Sequence, residues 1–206
     1  MYMKGVANNF KDSESIGVAK VKKFTITEDE AKRHNLYSTF RFEPYFMRVS
    51  AGEYVKLVVD GELMMSDTNM ERLTNSSFVR AAHGDVMIAG LGIGLILESL
   101  REKCNAGEVT SIVVYEKYQD VIDLVAWRYK DLPLEVRCAD ILEYKPAKGE
   151  TYDTIYFDIW PTICEDNLDD MAKLHQRWKF RKRKGGYMDS WMCHHLRARR
   201  AAERRY

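Results

Sequence analysis

From residue 84 onward, short apolar runs alternate with segments whose apolar positions recur every three to four residues. DVMIAG, SIVVYE, LEVRCAD, DTIYFDIW and YMDSW read as strands. LILESLREKC, YQDVIDLVAWRYK, EDNLDDMAKLHQRWKF and CHHLRARRAAERR read as the helices that accompany them. Strands separated by helices predict a parallel sheet covered on both faces, because a parallel strand can return only through a crossover.

The first third of the chain has a different rhythm. Residues 1–16 are polar and are expected to fray, whereas VAKVKKFTI (18–26) alternates as a strand does. Thr27 with Glu30 three positions on has the form of a capping box, starting a helix expected to run to about Asn35. YFMRVS (45–50), EYVKLVVD (53–60) and ELMMSD (62–67) read as strands, broken by Ala51-Gly52 and Asp60-Gly61 as hairpin turns. NMERLTNSSFVRAA (69–82) reads as a helix closed by His83-Gly84. The expected organisation is a β-rich region over 1–67 with one short helix, followed by an α/β domain over 68–206.

Composition narrows the class. At 206 residues and 46% hydrophobic content the chain suits one domain with a small appendage and rules out global disorder. No apolar run reaches membrane-span length, and MYMKGVANNFKDSES has no apolar core for a signal peptide. Cys104, Cys138, Cys164 and Cys193 form no CxxC pair, so reduced thiols in a cytoplasmic protein are expected, with no structural zinc site. The formal charge of +1 hides an asymmetry: residues 177–206 carry +9 and the remainder −8. Such an end could meet nucleic acid, or it could be a solvated helix face offsetting an acidic body.

Candidate chemistry begins at IAGLGIGL (88–95), where Gly90, Gly92 and Gly94 stand between a strand and a helix. Residues without Cβ let a ligand approach the main chain, and a helix N-terminus adds free N–H groups. Glu116 ends the next strand, where a carboxylate suits the two donors of a ribose diol. The third glycine comes one residue early for a dinucleotide fingerprint, and Leu95 stands where that fingerprint wants glycine. No Lys-Ser/Thr pair of the phosphate-loop type follows, so a nucleoside without phosphates fits better.

VMIAGLGIGL, VVYEKYQDVIDL, CADIL and YDTIYFDIWP, in that order and spacing, resemble the successive motifs of class I S-adenosylmethionine (SAM)-dependent methyltransferases. VVDGELMMSD upstream is similar to the β-hairpin of the spermidine synthase branch. The resemblance covers about residues 45–160. It implies a Rossmann-like, doubly wound, mostly parallel sheet, shortened at its C-terminal end and preceded by a small antiparallel region. It implies that Ala89, Gly90, Gly92 and Gly94 pass beneath the methionine part and ribose of SAM, or of decarboxylated SAM. Glu116 would hold the ribose diol, and Lys117 and Tyr118 would flank adenine. Asp140 would meet the adenine amino group, with Ile141 packing nearby, and Asp158 would face the sulfonium and acceptor as the catalytic residue. Read from its residue type alone, Asp140 could equally cap the segment after it.

Differences from the polyamine synthases bear on the reaction. Ile93 replaces an aspartate of their glycine turn, and Asp158-Ile-Trp-Pro replaces their D-x-x-D-P. Methyl transfer is therefore favoured over aminopropyl transfer, with a non-catalytic nucleic-acid module as the third reading. Trp160 and Pro161 are candidate acceptor contacts, although a Trp after a buried strand also suits a core. Cys193, His194 and His195 lie near Asp189, but adjacent histidines diverge by ~100° on a helix and are not expected to hold a metal. His194 is also a candidate general base, since its pKa lies near neutrality. A sheet edge left by missing terminal strands would favour a homodimer.

Overall fold

The computed structural model describes residues 3–204. Two sheets organise it. The first is antiparallel, with β1 (Ser13–Ile16), β2 (Ala19–Ile26), β3 (Gly52–Val59) and β4 (Glu62–Ser66) side by side in that order. α1 (Glu28–Phe40) interrupts it after β2. The second follows α2 (Asn69–Ala81) and contains β5 (Gly84–Ala89), β6 (Val109–Glu116), β7 (Leu134–Cys138), β8 (Tyr152–Phe157) and β9 (Lys182–Ser190). Between and after these strands come α3 (Leu95–Asn105), α4 (Gln119–Val125), α5 (Asn167–Trp178) and α6 (Cys193–Glu203). Every pairing in the second sheet is parallel, in the order β7-β6-β5-β8-β9.

That order is the 3-2-1-4-5 arrangement of a Rossmann-like fold. The chain winds outward in one direction from β5 and then crosses back to β8, so the carboxyl ends of β5 and β8 border a crevice. Alternate residues of the strands feed two cores, one on each face. Val86, Ile88, Ile112, Val114 and Tyr156 enter one; Met87, Ala89, Val113, Ile155 and Phe157 enter the other, around Trp178. This two-sided burial is why the strands read as continuous apolar runs rather than as alternation.

The Thr27–Glu30 capping box is present, with the Thr27 N–H donating to Glu30 at 2.8 Å and the Glu30 N–H to Thr27 at 3.3 Å. The Asp60-Gly61 turn joins β3 to β4 with both residues at positive φ, +50° and +82°, as a type I′ hairpin requires.

Three expectations need correction. Residues 3–16 are anchored, not frayed, while residues 1–2 lie outside the described residues: Met3, Val6 and Phe10 are buried, and β1 pairs with β2. Asp67 is the anchor, fully buried, with its carboxylate accepting from the N–H groups of Val6 (2.8 Å), Ala7 (3.2 Å) and Val55 (2.8 Å). The 45–50 segment is not a strand but a 3-10 turn over Tyr45–Met47 and an extended exit, so Ala51-Gly52 joins no hairpin and β3 pairs with β2 instead. Asn35 explains the difference, since its side-chain amide takes both the N–H (2.9 Å) and the C=O (2.8 Å) of Val49 that a strand partner would need. α1 also runs past Asn35, ending at Phe40.

Candidate functional site

The backbone exits of β5 and β8 converge at the crevice. Gly90 leaves β5 with φ +98°, and a Cβ placed there would meet the backbone oxygen of Asp158, beyond β8, at 2.1 Å. Glycine is thus required at 90 by the close approach of the two strand ends. Gly92 and Gly94 also have positive φ, +52° and +75°, but their bare faces meet protein: Met65 Sδ at 92 and the Tyr129 ring at 94. Met65, on β4, accepts from the Ile93 N–H at 3.4 Å and so lies over the glycine turn. The glycines at 92 and 94 therefore serve packing as well as any ligand.

Gly90→Ala should consequently lower stability by at least ~2 kcal/mol, since strain and a backbone collision combine. For a chain of this length that is a fall in Tm of about 4–8 °C. Gly92→Ala should cost less, because a thioether tip can move. Thermal denaturation of the two variants checks the order.

A cavity of about 290 Å³ opens beside this turn, close to the ~300 Å³ lower bound of ligand pockets. Gly90, Gly92, Glu116, Lys117, Tyr118, Asp140, Ile141, Asp158, Trp160 and Pro161 all line it; Ala89 and Gly94 do not. The β3–β4 hairpin forms another wall, through Leu57, Val59, Glu62, Met64 and Met65.

Glu116 is buried at 8% exposure. One carboxylate oxygen accepts from the Leu91 N–H and the other from the Tyr118 N–H, each at 2.9 Å. These bonds tie the end of β6 to the glycine turn, and the Lys117 and Gly92 N–H groups also bear on the carboxylate. Burial pushes its pKa up, against the opposing pull of the backbone N–H groups. Asp140 does cap the turn after it, accepting from the Leu142 N–H at 2.9 Å, while its other oxygen holds Lys117 at 3.1 Å. That contact raises the Lys117 pKa.

The residues sequence reasoning missed are on α2. Glu71 and Asn75 are buried, at 6% and 0% exposure, and both line the cavity. Asn75 donates to the Asp158 carboxylate and, in a long contact of 3.5 Å, to Glu71. Its Oδ1 accepts from Tyr156 at 2.8 Å, which fixes the amide so that its N–H groups face the two acids. Tyr156 is held in turn by stacking on Phe78, with centroids 4.1 Å apart. Burial pushes Asp158 up to about 7, opposed by the bond from Asn75, although the residue as a whole is only partly buried. Glu71 is raised well above the ordinary range by burial and then by the Asp158 charge. Each carboxyl opposes ionisation of the other, so the pair holds a proton more tightly than two separate carboxyl groups would.

A signal for Glu71 and Asn75 was present. They fall at i and i+4 of the helix face that continues through Phe78, Val79 and Ala82, all buried. Polar residues at core positions of an amphipathic helix call for an explanation.

The C-terminal candidates lie elsewhere. Cys193 is buried, His194 points at Asp189 from 3.6 Å, and His195 packs edge-on to Phe46. Arg199 pairs with Glu165 at 2.7 Å, and Arg200 reaches Glu165 and Asp169, so part of the basic end is matched by acids of the same chain. Among the described residues, no helix is long and apolar enough to cross a membrane.

No protein-family model matches the chain, and no curated protein matches it in sequence. Solved structures do. A SAM-dependent methyltransferase from Leishmania major is similar at 16% identity over 58% of this chain and 46% of that one, with a TM-score of 0.44. A SAM-dependent methyltransferase from Clostridium acetobutylicum has 16% identity, coverage of 56% and 45%, and a TM-score of 0.40. The N-methyltransferase NodS from Bradyrhizobium japonicum has 20% identity, coverage of 58% and 62%, and a TM-score of 0.42. The chain thus spans less than two thirds of the length of each. At this distance, activity has to be argued from the cavity itself.

Proposed function

We propose that the chain is a SAM-dependent methyltransferase. The observation that carries this reading is Glu116: a buried carboxylate ending the second strand of the Rossmann-like unit, bonded to the glycine turn and lining the cavity. A ribose diol would supply two donors that a carboxylate lining the cavity can accept. The lining suits a cationic nucleoside. It carries Glu62, Glu71, Glu116, Asp140 and Asp158 against Lys117, and Lys117 is already paired with Asp140. A dinucleotide's phosphates would meet carboxylates and no free cation there.

In this reading Gly90 and Gly92 run beneath the methionine part and ribose, with Met65 shifting off Gly92 to admit the ligand, and Ala89 and Gly94 shape the turn from outside the cavity. Lys117, Tyr118 and Ile141 border adenine, and Asp140 accepts from its amino group. Trp160 and Pro161 face the acceptor. When bound, SAM supplies a methyl group already activated on a sulfonium. The work left to this chain is to align the acceptor, exclude water and take up a proton, and alignment alone is worth several orders of magnitude. Asp158 is the residue placed to hold that proton.

Calorimetric titration tests the reading. S-adenosylhomocysteine (SAH) should bind and NADH should not; NADH binding, or no heat with either, contradicts it. A second reading, aminopropyl transfer from decarboxylated SAM, is favoured by the β3–β4 hairpin, which contributes Glu62, Met64 and Met65 to the cavity wall. Incubation with putrescine and each donor in turn, with products read by mass spectrometry, separates the two. A methylated product supports the first, and a product enlarged by an aminopropyl group supports the second.

A further inference from the structure

Glu71, buried, and Asp158, partly buried, border one cavity on either side of the Asn75 amide, and no basic side chain among the described residues pairs with either. Removing two carboxyl groups from water is costly, and a structural role would be served as well by apolar residues of similar volume. The surroundings do not relieve the cost. Asn75 offers two neutral N–H donors, and Tyr156 donates to Asn75 rather than to the acids. The pair is also not sealed in the core, since both residues line the cavity. Trp160 lines the same cavity, and its buried indole N–H has no hydrogen-bond partner. Two carboxyl groups with acceptor capacity, and one unpaired indole donor, thus border one space beside the glycine turn.

The geometry points to an acceptor subsite here: Glu71 and Asp158, oriented by Asn75, receive a protonated amine in the space that Trp160 also lines. This rests on the nucleoside reading of Glu116 for the identity of the other ligand, but its own support is the acid pair. An ammonium carries three donors and one positive charge, which matches two carboxylates with free lone pairs. A phosphate or carboxylate acceptor would find only Lys117, which is held by Asp140. A neutral hydroxyl would leave the pair's charge uncompensated.

The proton balance is simple. An arriving ammonium takes the place of the proton held by the pair, and that proton leaves to solvent. One N–H bond then breaks as an O–H bond forms on a carboxylate of the pair, and the electrons of the N–H bond remain on nitrogen as a lone pair. Glu71 enters by touching the acceptor. Asn75 acts through the acids and is a positioning residue.

Titration with n-butylamine and with n-butanol, each with and without saturating SAH, tests the proposal. Binding of butylamine but not butanol, in the presence of SAH, is expected. Calorimetry in two buffers of different ionisation enthalpy should show a proton released on binding near neutral pH. Glu71→Gln and Asp158→Asn should each weaken butylamine at least about tenfold, the equivalent of one charge-assisted bond, with SAH affinity retained. Equal binding of butanol, or variants that bind butylamine as well as the parent, overturns the proposal. SAH competing with butylamine also overturns it, by giving the acid pair to the amino group of the nucleoside ligand itself. Butylamine binding without any SAH binding would refute the nucleoside reading and leave the amine subsite standing. Glu71→Gln and Asp158→Asn are near-isosteric and remove a buried charge, so the fold should survive; circular dichroism of both variants verifies this.

Discussion

Glu116→Gln is expected to weaken SAH binding about 100-fold, corresponding to ~3 kcal/mol for a lost charge-assisted acceptor and a mispaired backbone donor. The reason lies in how completely the carboxylate is used. Its two oxygens each accept a backbone N–H, from Leu91 and from Tyr118. A glutamine has one oxygen, so either orientation turns an NH₂ group toward an N–H. The glycine turn then loses its tether and the ribose loses an anionic acceptor in the same step. The ionised form is the one that accepts, and burial raises the pKa of this group. SAH affinity should therefore fall across the acid range, and at a higher pH than an ordinary carboxylate would dictate. Calorimetry across that range checks both statements, and an affinity untouched by the substitution contradicts the assignment.

Asp158→Asn should lower the rate of methyl transfer about 10²–10⁴-fold, the usual contribution of a positioned proton acceptor. SAH binding should persist. In the parent protein the rate should rise with pH through about 7, because only the ionised carboxylate can accept a proton and burial holds its pKa there. Stability should move the other way. A carboxyl whose pKa is higher folded than unfolded favours the fold while it is protonated, so that contribution is complete below the unfolded value of ~3.9 and is lost as pH rises through about 7. Asp158→Asn removes the titration. Its Tm should exceed that of the parent at pH 8, with the gap closing toward pH 4. The groups facing Asp158 are Asn75 and Glu71 from α2 and Tyr156 from β8, and the Glu71 charge reinforces the effect.

The parallel sheet could be read from the chain because its strands are buried on both faces and its helices carry one apolar stripe each. The glycine turn, Glu116 and Asp158 were legible for a related reason: a Rossmann-like unit places the residues that follow its strands at one edge, so position in sequence translates directly into position at the crevice. The N-terminal segment was not legible. Its anchor, Asp67, lies some sixty residues away, and no local pattern distinguishes a buried, triply bonded carboxylate from a surface one. YFMRVS alternates like a strand, yet a single side chain, Asn35, supplies the hydrogen bonds that would have gone to a neighbour. The acid pair joins residues 71 and 158, and only the packing of α2 against β8 brings them together. A helical wheel of α2 does place Glu71 and Asn75 on the buried face, which is a hint of a site, but the partner of Glu71 is a tertiary fact.

A crystal structure of the protein with SAH tests the central claim most directly. The account predicts both ribose hydroxyl oxygens within ~3 Å of the Glu116 carboxylate, the distance of a charge-assisted hydrogen bond. It also predicts Met65 displaced from Gly92 and the thioether sulfur on the Asp158 side of the cavity. An adenosyl group bound elsewhere, with Glu116 still holding only Leu91 and Tyr118, would contradict it.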